Sequence, residues 1–313
     1  MKSIRFALGS FLFVALFAPD SMAQLQRAFV SGLGNDGNPC TRTAPCRTFA
    51  QAISQTNAGG EVVVLDSAGY GPATITQAVS ITAPLGVHAG ISVFSGIGIT
   101  INAGPSDVVI LRGLTITSQD TSGGSGILFA SGFKLHVESC IVDGFVFGSV
   151  DTSGIAFLGA GNLEVKDSIL RRNIQGILVK PSSGTASAAV DRVRLENNHG
   201  AGLFVQAGST VTVSNSLSSG NVGGFVASSD TSGAMAELNI ESCVASNNTT
   251  GVATETSSMG VARIRLSNST VTNNSFVGIL NDLSPAVFLS RGNNTVEGNG
   301  TDTIGTIGSY TAK

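Results

Sequence analysis

Two short elements recur along this chain with a period near 25 residues, and no other feature narrows the possible folds as far. The first is a glycine followed by aliphatic or aromatic residues: Gly126-Ile127-Leu128-Phe129, Gly154-Ile155-Ala156-Phe157, Gly176-Ile177-Leu178-Val179, Gly202-Leu203-Phe204-Val205, Gly224-Phe225-Val226, Gly251-Val252-Ala253 and Gly278-Ile279-Leu280. Their intervals are 28, 22, 26, 22, 27 and 27 residues. The second alternates apolar and polar residues, as in Leu163-Glu164-Val165-Lys166, Val211-Thr212-Val213-Ser214 and Ile264-Arg265-Leu266-Ser267, which is the pattern of a half-buried strand. An Asn-rich turn follows it, giving the series Asn173, Asn198, Asn221, Asn247, Asn274 and Asn299 at spacings of 25, 23, 26, 27 and 25. Such a repeat holds at least two short strands and a turn, with no room for a long helix. Self-similarity at this period marks a solenoid or related array.

Strands stacked in parallel at about 4.8 Å, one coil per repeat, make an all-β, single-stranded right-handed parallel β-helix. The Asn series is read as structural: amides at one turn of successive coils bond to one another and satisfy buried polar groups. Here the sequence resembles the pectate-lyase-like superfamily of right-handed parallel β-helix proteins over nearly the whole chain after residue 23. The alternation continues upstream through Val62, Val64, Ile75, Ile81, Ile99, Ile110 and Ile116, giving roughly ten coils and a rod of about 48 Å. An open solenoid end needs a cover. Residues 47–54 supply a capping helix with Phe49, Ala52 and Ile53 on one face, and Gly59-Gly60 is expected to stop it. The division is then a signal peptide at 1–23, an N-terminal loop and capping helix at 24–59, and the β-helix at 60–313.

Met1-Lys2-Ser3-Ile4-Arg5, an apolar run from Phe6 to Ala18 and Ser21-Met22-Ala23 read as the basic, apolar and cleavage regions of that signal. The chain is therefore expected to be exported, to the periplasm or beyond. No later segment is apolar enough to span a membrane. Only 12% of residues are charged, so Ser, Thr, Asn and Gly carry solubility. Losing Lys2, Arg5 and Asp20 moves the net charge from −3 to −4, which argues against nucleic acid as a partner, since phosphate neutralisation needs a basic face. Cys40 and Cys46, beside two prolines, suit a disulfide in an oxidising compartment. Cys140 and Cys243 fall in one column four coils apart, about 19 Å, beyond disulfide reach.

Aligned strands predict two outward columns. One holds His136, Glu164, Ala189, Thr212, Asn239 and Arg265; the other holds Glu138, Lys166, Asp191, Ser214, Glu241 and Ser267. Glu138, Glu164, Lys166 and Asp191 are the candidate catalytic residues, and His136, Arg192 and Arg194 the candidate ligand contacts. Glu138 and Asp191 would stand about 9.6 Å apart by strand spacing, at the edge of what an inverting glycoside hydrolase uses. A lyase would use Lys166 or an arginine as base with a charge clamp. The same residues alternate in sign, which also describes a cross-strand ion-pair ladder. The resemblance implies a substrate groove along such an outer face, yet the N-T-D, D-D, G-H-G and R-I-K motifs of polygalacturonases are missing. There is no Trp, and the only tyrosines are Tyr70 and Tyr310; most Phe are expected inside the coil. No metal site or cofactor is predicted, with calcium entering only for a lyase. Asn35-Asp36-Gly37-Asn38 reads as a bare turn, since the later acidic ligands of an EF-hand are missing. The expectation is an exported β-helix that binds extracellular polysaccharide or serves a surface-structural role; the alternative is a polysaccharide lyase or glycoside hydrolase acting on an acidic polysaccharide.

Overall fold

The computed structural model describes residues 25–119, 123–149, 151–256, 260–281 and 285–311. The expected signal peptide lies outside the described residues. Each coil runs through three parallel strands, for example Lys134–Glu138, Ile141–Asp143 and Ser153–Phe157, before Gly161–Lys166 begins the next. These positions stack into sheet I with twelve strands and sheets II and III with ten each, about nine turns from first strand to last. The register matches both predicted columns: His136 pairs with Glu164, Ala189, Thr212, Asn239 and Arg265 in turn, and Glu138 with Lys166, Asp191, Ser214, Glu241 and Ser267. Alternation explains it, because Leu135, Val137, Leu163, Val165, Val211 and Val213 are buried and a one-residue slip would expel them all.

Two kinds of corner turn the chain. Between sheets I and II, Ser139, Asp167, Arg192, Asn215, Ser242 and Asn268 take φ near +50°, and the next residue points inward. Ser168, Ser216 and Ser269 there accept from the backbone N–H of Cys140, Val193 and Cys243. Cys140 and Cys243 are buried free thiols, each pushed up to about 11 by burial. Between sheets II and III, Arg172, Asn197, Asn247 and Asn273 hold the left-handed position, and the following residue enters the ladder.

One residue of the Asn series is corrected by this corner. The ladder runs Asn173, Asn198, Asn221, Asn248, Asn274, Asn299, each Oδ1 accepting from the backbone N–H and Nδ2 of its predecessor. Asn247 is the exposed turn residue with φ 57°. Asn suits both the left-handed position and the ladder, so adjacent asparagines look alike in sequence. The repeated glycine packs beside this ladder: a Cβ on Gly224 would come within 2.2 Å of the Gly251 carbonyl oxygen and 3.0 Å of Asn248 Nδ2.

The first coil is covered by α1 (Phe49–Gln55), which buries Phe49, Ala52 and Ile53; the Thr48 side chain caps it by accepting from Gln51 N–H. Gly59-Gly60 do not stop the helix. Thr56 does, donating its N–H to Ile53 and its hydroxyl to Ala52, and the glycines lie inside the strand Thr56–Val64. Leu25–Val30, expected as loop, is the edge strand of sheet I. Its far edge is occupied by the Cys40–Cys46 disulfide loop (Cα–Cα 4.6 Å), where Phe29 N–H donates to Cys40 O and accepts through its own carbonyl from Cys46 N–H. A covered edge cannot template pairing with another chain. Asp36, in the expected bare turn, accepts from Arg47 N–H, Thr48 N–H and Thr48 Oγ1 and so anchors the cap.

Candidate functional site

Sheet I presents its alternate side chains to solvent, and the candidates fall there except Arg192, in the corner just after Asp191, and Arg194. Each sheet I strand from Lys134 to Ser267 reaches sheet II through a two-residue corner, too short to raise a wall. On the other side the connections from sheet III vary, from 132–133 between Ile127–Ser131 and Lys134–Glu138 to 180–185 between Gln175–Val179 and Ala186–Asp191. The face is therefore open along one flank and bordered by short loops along the other.

The charges on it pair with one another. Arg112 meets Glu138 at 2.8 Å, Arg192 meets Asp167 at 2.7 Å and also Asp191, and Glu164 is held by Lys134 and by His136 Nδ1 at 2.7 Å. Asp191 accepts further from Ser214 Oγ and Asn215 Nδ2. The hydrogen bond from Lys134 holds the Glu164 carboxyl below its ordinary value, and that from Asn215 does the same for Asp191. Burial lowers His136 despite the Glu164 charge, so the imidazole is neutral at neutral pH. A hydrolase needs one carboxyl raised enough to stay protonated. Glu164 and Asp191 are shifted the other way.

Lys166 shares this face, and its charge helps lower Asp167 and Asp191. Arg194 sits round the corner on sheet II, paired with Glu196 at 2.6 Å. Among the described residues no three His, Cys, Asp or Glu side chains converge on a point that could hold a metal.

Sequence reasoning did not single out the cleft at the entry edge of sheet I. Its volume is about 590 Å³, and Phe133, Asn162, Thr185, Ser187 and Thr210 line it. Phe133 is 49% exposed, unlike the Phe129–Phe157 stack inside the coil, with ring centroids 4.2 Å apart. Its signal in the sequence was position: it stands one residue before an alternating strand, outside the inward set. Asn162, Ser187 and Thr210 follow Lys134 in one register column, so the aromatic edge opens onto a polar row.

Among solved structures, the chain is similar to an alginate lyase from Paenibacillus sp. str. FPU-7, at 12% identity over 91% of this chain and all of that one, with a TM-score of 0.59. Pectate lyase Pel9A gives 14% identity, 91% and 80% coverage and 0.55; XylC in complex with xylose gives 8%, 86% and 69%, and 0.54. At these identities the likeness is one of fold. No curated protein sequence matches the chain. The family described as the right-handed beta helix region matches residues 87–239 and 183–301, more than half of the chain. With three parallel sheets wound in successive coils, this chain belongs to the right-handed β-helix family.

Proposed function

We propose that this protein is an exported glycan-binding β-helix, which takes an extended extracellular polysaccharide along the outer face of sheet I. The observation that carries the reading is the half-exposed Phe133 at the mouth of a cleft that leads onto Asn162, Ser187 and Thr210. A sugar ring offers an apolar face to an aromatic surface and hydroxyls to amides and side-chain oxygens, which is the mixture this edge provides. The coil repeat of about 4.8 Å presents these groups at regular steps along the rod, as a polymer requires. Export is supported by the disulfide, which persists in oxidising compartments, and the lyase activities named for two structural neighbours agree with a polysaccharide ligand. Affinity electrophoresis in gels containing alginate, polygalacturonate, xylan or cellulose derivatives tests it. At least one polymer should retard the protein, and Phe133→Ala or Asn162→Ala should abolish the retardation while the fold persists. Equal mobility of the native protein in every gel sinks the reading.

A second reading, a polysaccharide lyase, has one observation in its favour. His136 is neutral and gives Nδ1–H to Glu164, leaving Nε2 to take the proton from the carbon beside a uronate carboxylate and return it to the departing glycosidic oxygen as that C–O bond breaks and the C=C bond forms, with Lys166 one coil away to offset the developing charge. Release of unsaturated sugars, followed by ultraviolet absorbance and lost in His136→Gln, would establish it in place of simple binding.

A further inference from the structure

The cleft at Phe133 carries no charge. Every residue that lines it is neutral, from Pro105 and Phe133 through Asn162 and Thr185 to Ser187 and Thr210, on a face that elsewhere alternates in sign. Closed ion pairs bound this window at both ends along the rod. In the column that runs Lys134, Asn162, Ser187, Thr210, Glu237 and Arg263, Lys134 is held by Glu164, and Glu237 by Arg263 and Arg265. The next outward column extends the window with Ala189 and Thr212, and the strand Ser209–Ser214 has no charged residue at all. From Asn162 to Thr210 the window covers two strand steps, about 9.6 Å.

Its groups are within reach of a ligand. Ser187, Ala189, Thr210 and Thr212 are exposed, and Asn162 is half-buried. Asn162 Nδ2 donates to the Phe133 carbonyl oxygen at 3.3 Å, which ties the polar row to the aromatic edge. The exposed hydroxyls of Ser187 and Thr210 can each donate and accept. Sugar hydroxyls match such groups without leaving a charge unpaired. A carboxylate entering the same window meets a different situation. Taking it out of water costs free energy that a facing cation must offset. The cation of this column, Lys134, is already held by the Glu164 carboxylate, which itself repels a second anion. Lys166 stands at the far end of the strand that begins at Gly161, about 13 Å from Asn162.

We infer that the Phe133 cleft selects an uncharged polysaccharide over a polyuronate. The inference rests on the glycan-binding reading above and adds to it the class of polymer.

Pairs of polymers that share a backbone and differ in charge provide the test: hydroxyethyl cellulose against carboxymethyl cellulose, and fully methyl-esterified polygalacturonate against its free acid, in affinity gels run beside a non-binding protein. In at least one pair the uncharged member should bind about tenfold more tightly. Raising salt from about 0.1 M to about 1 M shortens the Debye length from about 10 Å to about 3 Å and should not weaken that binding. Thr210→Lys puts a cation into the window and should raise affinity for the charged member about tenfold. Ser187→Lys carries the same expectation should the first variant fail to fold. The inference alone is overturned, with the binding reading intact, if the charged member binds as tightly or more tightly in every pair that is bound, if salt releases the uncharged polymer, or if neither lysine variant gains affinity for the charged one. Retardation by no polymer of either kind removes the binding reading, and this inference with it.

Discussion

The Asn ladder and the outer face of sheet I are both rows of polar side chains repeated coil by coil, but they obey different physics. In the ladder from Asn173 to Asn274 every carboxamide does the same work, accepting from the coil before and donating to the coil after, in a buried corner. On sheet I the outward column changes identity at each step, from His136 to Glu164 to Ala189 to Thr212, and its charges settle into local ion pairs. A buried row must be uniform, because one misfit orphans its neighbours' hydrogen bonds. A solvated row is free to vary, and it can therefore acquire chemistry.

The largest effect should come from breaking the uniform row. Asn221→Leu removes the acceptor of both Asn198 N–H and Asn198 Nδ2 and the donor to the Leu195 carbonyl. Two buried donors are left unpaired at roughly 1–3 kcal/mol each, so chemical denaturation should show a loss of about 3 kcal/mol or more. A stability within experimental error of the native protein would mean that the ladder is not a structural element. The register correction gives a sharper comparison between neighbours. Asn248→Ala removes a ladder member and should cost about 2 kcal/mol or more, whereas Asn247→Gly, at φ 57°, keeps a residue suited to the left-handed position and should change stability by only about 0.5 kcal/mol. Equal effects would restore the register with Asn247 in the ladder.

How far the sequence disclosed the molecule follows the same division. Periodicity revealed the architecture, both columns of sheet I, the separation of Cys140 from Cys243 and the ladder to within one residue, because these features are forced on every coil. The glycine element was visible too, although its reason, the close approach to Asn248 and the Gly251 carbonyl, required the corner itself. Non-repeating features were read less well. The strand at Leu25–Val30 shows no full coil's pattern, and Thr56 rather than Gly59-Gly60 ends the helix. Phe133 departs from the repeat at one position, and a single departure carries no period to detect. Arg194 looked like part of the charged group, yet the corner at Arg192 turns it onto sheet II.

Breaking the variable row should barely register in stability. Glu138→Gln and Lys166→Ala touch exposed charges, and surface ion pairs contribute about 0–1 kcal/mol. Both variants should unfold within about 0.5 kcal/mol of the native protein, as followed by circular dichroism in urea. A loss comparable to that of Asn221→Leu would make this face part of the scaffold and leave it unavailable for function.

The smallest effect, and the one that reads the face most directly, is its response to pH. His136 titrates below its ordinary value of 6.5 because burial disfavours the imidazolium more than Glu164 supports it. As pH falls below 6.5, the unfolded chain takes up this proton before the folded one does, so the unfolded state binds more protons and stability declines. Glu164, held low by Lys134, and Asp191, held low by Asn215, add the same sign of change at more acidic pH. They favour folding above their ordinary values of 4.5 and 3.8, and that contribution fades as the folded carboxylates protonate. His136→Gln should therefore flatten the stability profile just below pH 6.5 and leave the carboxylate-driven fall in place, as seen by urea unfolding at half-unit steps. A steeper fall in the variant would mean that His136 gains its proton on folding. The His136–Glu164 contact would then be a true ion pair, with no neutral imidazole free to accept a substrate's proton.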